Sequence, residues 1–348
     1  MAASALTEKL TAAGASGQYG GAETVLRFSD SKTEFAALLS GAGVCDLCWR
    51  AKLAIRGRDR VRWFNGMVSN NVRDLAAGRG VYSFVLNPQG RILGDFYAWN
   101  HGEEFLVDTD LAQLPNLLAL WRKFIIMDKV ELVEVADQFA AIGVQGPKAA
   151  EVLRAAGIQV PELQPLEMVE SSWQQGSLTL VRADEPKVRY EVWLTPEHAA
   201  AAWDALVKAG ATPVGAEAIE LARIAAGIPK YGQDIRERDL PQETQQERAL
   251  NFTKGCYIGQ EIVERIRSRG NVHRMFTGLK IEGPLPAPGA KLQADGKDVG
   301  EVTSVGVLPL AGGQLPVALG YVRREAGSLG SFLTAGETKA TVQPPPFT

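Results

Sequence analysis

The octapeptide Lys254-Gly255-Cys256-Tyr257-Ile258-Gly259-Gln260-Glu261 places a thiol between two glycines, with a lysine before it and an amide and a carboxylate after it. Glycine suits tight turns and close approach of main chain to another group. Ile262, Val263 and Ile266 follow at helical spacing, with Arg265, Arg267 and Arg269 interleaved. The pattern predicts a loop carrying Cys256 that runs into a short helix. A thiol beside Lys254 and a helix N-terminus sits in positive potential, a setting that favours the reactive thiolate. The plainer reading is a buried structural cysteine, because free cysteines are often found in cores. Glycines and polar neighbours are a poor wrapping for one.

The elements around this stretch follow from periodicity and turn chemistry. Residues 1–20, rich in Ala, Gly and Ser, read as a helix followed by a flexible stretch. Val81 to Leu86 and Ile92 to Trp99 alternate on either side of Asn87-Pro88-Gln89-Gly90, a strong hairpin turn. Leu111, Leu114, Leu117, Leu118, Trp121 and Phe124 form an apolar helical stripe. Asp59 to Phe64 reads as a helix ending at Asn65-Gly66, and residues 157–175 as a linking loop. Two stretches, FLVDTDLAQLPNLLALWRK and VWLTPEHAAAAWDALVK, are loosely alike and hint at an internal duplication. Ala216 to Ala226 reads as a helix followed by a loop to Thr244. From Met275 on, short strands alternate with Gly and Pro turns, the signature of a small barrel. The expected division is residues 1–274, in two sub-domains split near 157–175, and a barrel at 275–348.

Composition narrows the function classes. The chain has 348 residues and a net charge of −3, so recognition of nucleic acid through phosphates is not expected. The start lacks the basic and apolar regions of a signal peptide, and no run of 18 or more apolar residues suggests a membrane span. Three cysteines fit a reducing compartment, and a cytoplasmic protein is expected. Cys45 and Cys48 form a C-x-x-C beside a strand from Ala51 to Ile55. With no second cysteine pair, and with His101, His198 and His273 at no ligand-like spacing, no metal site is expected. Packing is the favoured role for these two cysteines, and a redox dithiol is the alternative.

The octapeptide resembles the KGC-aromatic-x-GQE signature of the YgfZ family. These are folate-binding proteins linked to iron–sulfur protein assembly and repair, and related to the aminomethyltransferase (T-protein) of the glycine cleavage system. Further stretches resemble this wider, GcvT-like family. Asp46 and Leu47 fit the lead-in to its first strand. Gly90-Arg91-Ile92-Leu93-Gly94-Asp95 is similar to a G-x-I-L-D-D hairpin, and Tyr190-Glu191 to an aromatic–Glu pair. Arg223-Ile224-Ala225-Ala226-Gly227 with Tyr231-Gly232-Gln233-Asp234 is similar to R-x-x-A-G…Y-G-x-D.

The resemblance implies an α+β fold, with an aminomethyltransferase-like folate-binding region of sheets packed with helices and a C-terminal β-barrel. It implies tetrahydrofolate, or a one-carbon derivative, as cofactor and iron–sulfur client proteins as partners. Glu191 would accept the parallel N–H donors of a pterin edge. Arg223 would donate to the pterin carbonyl or hold a carboxylate of the folate tail. Asp95, Tyr190 and Tyr231 would complete the cofactor contacts, and Cys256 and Lys254 would carry the chemistry. Nucleophile, transient cluster ligand and redox group are all open to Cys256. An enzyme of this type would be a folate-dependent one-carbon transferase. Against aminomethyl transfer itself, Gly94 stands where such relatives carry an acid.

Overall fold

The structure, a computed structural model, describes residues 4–184, 188–270 and 272–347. Helix α1 (Ala5–Thr11) starts on the hydroxyl of Ser4, which accepts the Thr7 N–H. A hairpin of β1 (Ala15–Tyr19) and β2 (Ala22–Arg27) then replaces the expected flexible stretch. Its two-residue turn, Gly20-Gly21, has φ of +58° and +94°, values that glycine adopts without strain. Next come α2 (Ser31–Ser40), β3 (Gly43–Asp46), β4 (Arg50–Arg56) and α3 (Arg60–Met67). Helix α3 runs past the expected stop at Asn65. That side chain is buried, and its oxygen accepts the N–H groups of Val72 and Arg73.

The central part holds β5 (Gly80–Leu86), β6 (Ile92–Asn100), β7 (Phe105–Asp110), α4 (Leu114–Arg122) and β8 (Glu131–Glu134). It continues with β9 (Ala140–Gln145), α5 (Ala149–Ala155), β10 (Glu167–Trp173), β11 (Gly176–Arg182), β12 (Arg189–Leu194) and α6 (Pro196–Lys208). Strand β10 occupies much of the expected linking loop. It is an edge strand with mostly polar side chains, so its sequence lacks the apolar alternation that marks a strand. The chain closes with β13 (Thr212–Pro213), α7 (Ala216–Ala226), α8 (Gln260–Arg269) and the strands β14 (Arg274–Glu282), β15 (Lys291–Ala294), β16 (Lys297–Leu310), β17 (Gly313–Arg323), β18 (Phe332–Ala335) and β19 (Thr338–Val342).

The five-stranded sheet has the order β5-β6-β7-β4-β8, and the six-stranded sheet β10-β11-β12-β9-β3-β13. The succession β4-α3-β5-β6-β7-α4 recurs as β9-α5-β10-β11-β12-α6, which gives the hint of duplication a topological basis. The last six strands close a barrel in the order β14-β17-β16-β15-β18-β19. The fold is therefore α+β with a C-terminal barrel. No helix among the described residues is long and apolar enough to cross a membrane.

Two compact units share these elements. One comprises Met1–Asn65, Asn71–Tyr82 and Phe96–Ile219, and the other Gly66–Asn70, Ser83–Asp95 and Glu220–Thr348. The barrel opens at Arg274, but its unit also takes in the preceding segment from Glu220 and two short pieces from early in the chain. In the first unit, Leu6, Val44, Ile142, Leu153, Val192 and Leu206 fill a core between the six-stranded sheet and its helices. A second core there is aromatic, with Trp121 edge-on to both Phe64 and Phe96. Fully burying side chains of this kind contributes about 1.5–3 kcal/mol each. In the barrel, Leu279, Leu292, Val302, Val322 and Leu333 point inward.

Candidate functional site

Cys256 is exposed, on a loop stitched to residues 66–70 of its own unit. The Asn251 N–H donates to the Ser69 carbonyl at 3.0 Å and the Ile258 N–H to the Gly66 carbonyl at 3.3 Å. The Ser69 hydroxyl donates to the Ala249 carbonyl at 2.6 Å and the Asn70 amide to the Arg248 carbonyl at 2.8 Å. Lys254 is buried, and its ammonium donates to the Val68 carbonyl at 2.5 Å while lying 4.8 Å from the Tyr257 ring centroid. The structure thus corrects the expected partnership: the Lys254 charge is turned inward and anchors the loop. Gly259, with φ +84°, ends it, and a Cβ there would sit 2.6 Å from the Asn87 carbonyl oxygen. Only glycine allows the loop this close to the hairpin turn before α8 begins. The arginines of α8 are engaged locally, Arg265 with Glu261 and Arg267 with Glu264. Asn271, within the expected stretch, lies outside the described residues.

Glu191 is buried in the first unit. Its Oε2 accepts the Trp193 indole N–H at 2.9 Å, and its Oε1 pairs with Arg189 at 3.0 Å. Two donors leave lone pairs on this carboxylate for further hydrogen bonds. Successive strand residues face opposite ways, so Tyr190 turns to the other face and joins the apolar core, with the Arg182 guanidinium over its ring. The expected Tyr190–Glu191 pair is therefore split, and only Glu191 keeps a polar setting.

Around Glu191 lies a cluster that the sequence did not reveal. Register puts Lys52 of β4 directly opposite Asp108 of β7, and Arg50 opposite Asp110. Lys52 Nζ is 2.9 Å from Asp108 Oδ1, with both side chains buried. Arg50 donates to Asp108 Oδ1 at 3.1 Å and to Asp110 Oδ1 at 2.7 Å. Despite its burial, Asp108 is held below the usual carboxylate range by the positive charges of Arg50 and Lys52. The signal lay in alternation: Arg50, Lys52 and Ala54 share one strand face, which reads as solvent-facing but is buried.

Arg223, expected at the cofactor, is a structural clamp. Its Nε donates to Glu220 at 2.9 Å, and its Nη1 to the Ile228 carbonyl at 2.9 Å and to Asp234 at 2.7 Å. Its Nη2 donates to Glu220 at 2.5 Å and to the Ser304 hydroxyl at 2.8 Å. A guanidinium has five N–H donors, and all of these are committed within the second unit. The fully buried Asp234 is the hub, accepting also from the Lys230 N–H, the Thr303 hydroxyl and the Ser304 hydroxyl. The R-x-x-A-G and Y-G-x-D stretches are thus joined by an ion pair. Burial raises the Tyr231 hydroxyl well above its ordinary range, and the charges of Glu237 and Asp95 add to this.

Cys45 and Cys48 are free thiols, Cys45 buried and Cys48 half-buried. Burial pushes both up to about 12, and no cluster of metal-ligating side chains occurs among the described residues. Between them, Asp46 is buried and accepts the Thr7 hydroxyl at 2.7 Å. Burial pushes its carboxyl up to about 6, against the pull of the Thr7 hydrogen bond. Because this pKa is raised on folding, the folded state holds the proton more tightly than the unfolded chain. The Asp46 contribution to stability is therefore fully present below about pH 4 and is lost as pH rises through about 6. Asp46→Asn should gain on the parent over that window by roughly 3 kcal/mol. Urea unfolding at pH 4 to 7 checks this; parallel stability curves for the two proteins would contradict it.

Comparison with known proteins places these features. The GCVT N-terminal domain matches residues 6–254, and the CAF17 C-terminal beta-barrel domain matches residues 274–348. An aminomethyltransferase of Thermus thermophilus is 28% identical over 330 residues, spanning 92% of this chain and 91% of its own. An aminomethyltransferase of Geobacillus kaustophilus is 27% identical over 343 residues, spanning 95% and 93%. The crystal structure of glycine cleavage system aminomethyltransferase T from Bartonella henselae aligns with a TM-score of 0.87 at 25% identity, covering 99% of this chain and 96% of that one. With one family domain over well more than half of its length and the matching barrel behind it, the chain belongs to the GCVT N-terminal domain family, in the form that carries a CAF17-type C-terminal barrel.

Proposed function

We propose that this protein binds tetrahydrofolate, or a one-carbon derivative of it, and supports assembly or repair of iron–sulfur proteins in the cytoplasm, with Cys256 as its functional thiol. The observation that carries the reading is the contrast among the three cysteines: Cys45 is buried, Cys48 half-buried, and Cys256 displayed on a loop pinned by buried hydrogen bonds. A loop this well held is suited to offering a thiol to a client protein. For the folate, support comes from the family fold and from Glu191, a buried carboxylate with acceptor capacity to spare. It suits the paired donors of a pterin edge. Arg223 is committed to partners within its own unit and is assigned no contact with the ligand.

The test is a calorimetric titration with tetrahydrofolate. Glu191→Ala should bind about tenfold to a hundredfold more weakly, the loss of a charge-assisted pair worth about 1.5–3 kcal/mol. Affinity equal to the parent's would remove Glu191 from the site. A second reading, aminomethyl transfer, is favoured by the relatives named aminomethyltransferase. Gly94, at the place of the expected acid, weighs against it. Turnover in a glycine-cleavage assay with a lipoyl carrier protein would decide for transfer.

A further inference from the structure

The buried ammonium of Lys52 has no part in the roles assigned so far. A charge this deep is expensive to bury, and Asp108 already has Arg50 as a partner. Arg50 is shared with Asp110, so Lys52 completes the charge balance of the two carboxylates. Its other neighbour is Trp193, whose ring centroid lies 4.2 Å from Nζ. A cation over an indole face is attracted by the ring quadrupole. It also draws electron density from the ring, which makes the indole N–H a better donor. That N–H is the one given to Glu191. Trp99, edge-on at 5.7 Å, flanks the same ring and leaves it little freedom to turn. Strands β4 and β7 thus reach strand β12 of the other sheet through one residue chain: Asp108, Lys52, Trp193, Glu191.

We propose that Lys52 is a positioning residue: through the indole of Trp193 it fixes the plane in which the Glu191 carboxylate meets the nitrogen edge of a pterin-type ligand. This rests on the folate reading above. The ligand class is that of the folate reading, and the geometry of the carboxylate suits it. A carboxylate held on one side by an indole N–H and on the other by Arg189 offers its remaining lone pairs in a single plane. A flat ligand with two parallel N–H donors fills that plane.

The experiment compares Lys52→Met, Lys52→Arg and Trp193→Phe with Glu191→Gln. Tetrahydrofolate affinity is measured by calorimetry, and the Trp193 indole N–H is followed by NMR in the ligand-free protein. Methionine fills the volume of the lysine stem, and Asp108 retains Arg50. Lys52→Met should bind about tenfold more weakly and shift the Trp193 indole N–H signal, and Lys52→Arg should restore both. Trp193→Phe keeps a ring and loses the donor. It should weaken binding comparably, and its effect should not add to that of Lys52→Met, because both act on one hydrogen bond. Should Lys52→Met fail to fold, Lys52→Arg and Trp193→Phe still decide the matter. Trp193→Phe binding within twofold of the parent, or an indole signal unmoved in both Lys52 variants, overturns the proposal. If Glu191→Gln is weakened while Lys52→Met and Trp193→Phe are not, the positioning claim alone falls. If Glu191→Gln binds as the parent does, the folate reading of Glu191 falls as well.

Discussion

Asp234→Ala should lose about 3–5 kcal/mol of stability, the cost of breaking a buried ion pair from one side. Asp234 is fully buried, and its Oδ2 holds Arg223 at 2.7 Å. The deletion would leave the Arg223 guanidinium, with only 10% of its side chain exposed, facing an emptied site. It would also release the hydroxyls of Thr303 and Ser304 on the barrel strand β16 and the backbone N–H of Lys230. Arg223→Ala should be nearly as damaging, because it strands Asp234 and Glu220 together. Asp234→Asn keeps some acceptor capacity and should lose about 1–3 kcal/mol. Urea unfolding followed by circular dichroism checks the series. A loss under about 1 kcal/mol for Asp234→Ala would show that the clamp is dispensable.

Thiol labelling should separate the cysteines by a large factor. With burial pushing Cys45 and Cys48 up to about 12, the reactive thiolate is about one part in ten thousand at pH 8. Cys256 is exposed and needs no opening of the fold to react. In native protein it should label about a hundredfold faster than either of the others, or more. Buried Cys45 should label only on unfolding, and half-buried Cys48 only slowly in the native protein. Peptide-resolved mass spectrometry reads all three at once. Comparable native rates would return Cys256 to the structural reading.

The same contrast shows what local sequence carries. Glycines and polar residues around Cys256 announced an exposed loop, and Asn87-Pro88-Gln89-Gly90 announced the hairpin turn, because turn geometry is encoded within a few residues. Alternation and turns likewise announced the barrel. The Gly20-Gly21 hairpin and β10 were missed because small or polar side chains mask the strand period.

Long-range pairing was hidden for a different reason. Lys52 and Asp108 meet only because β4 and β7 pair in a register that the sequence does not print. Arg223 read as a ligand contact for the same reason: a motif shows that a charge is required, and only the fold shows that its partner is Asp234. Tyr190 and Glu191, adjacent in sequence, illustrate the converse, since strand geometry sends neighbours to opposite faces.

The most direct test of the functional claim is complementation in a strain lacking the native protein, read as iron–sulfur enzyme activity. Cys256→Ser nearly preserves volume on an exposed loop, so its melting temperature and folate affinity should match the parent's. Cys256→Ser should restore no iron–sulfur enzyme activity, while a Cys45→Ala, Cys48→Ser double variant should restore it fully. Full restoration by Cys256→Ser would contradict the account.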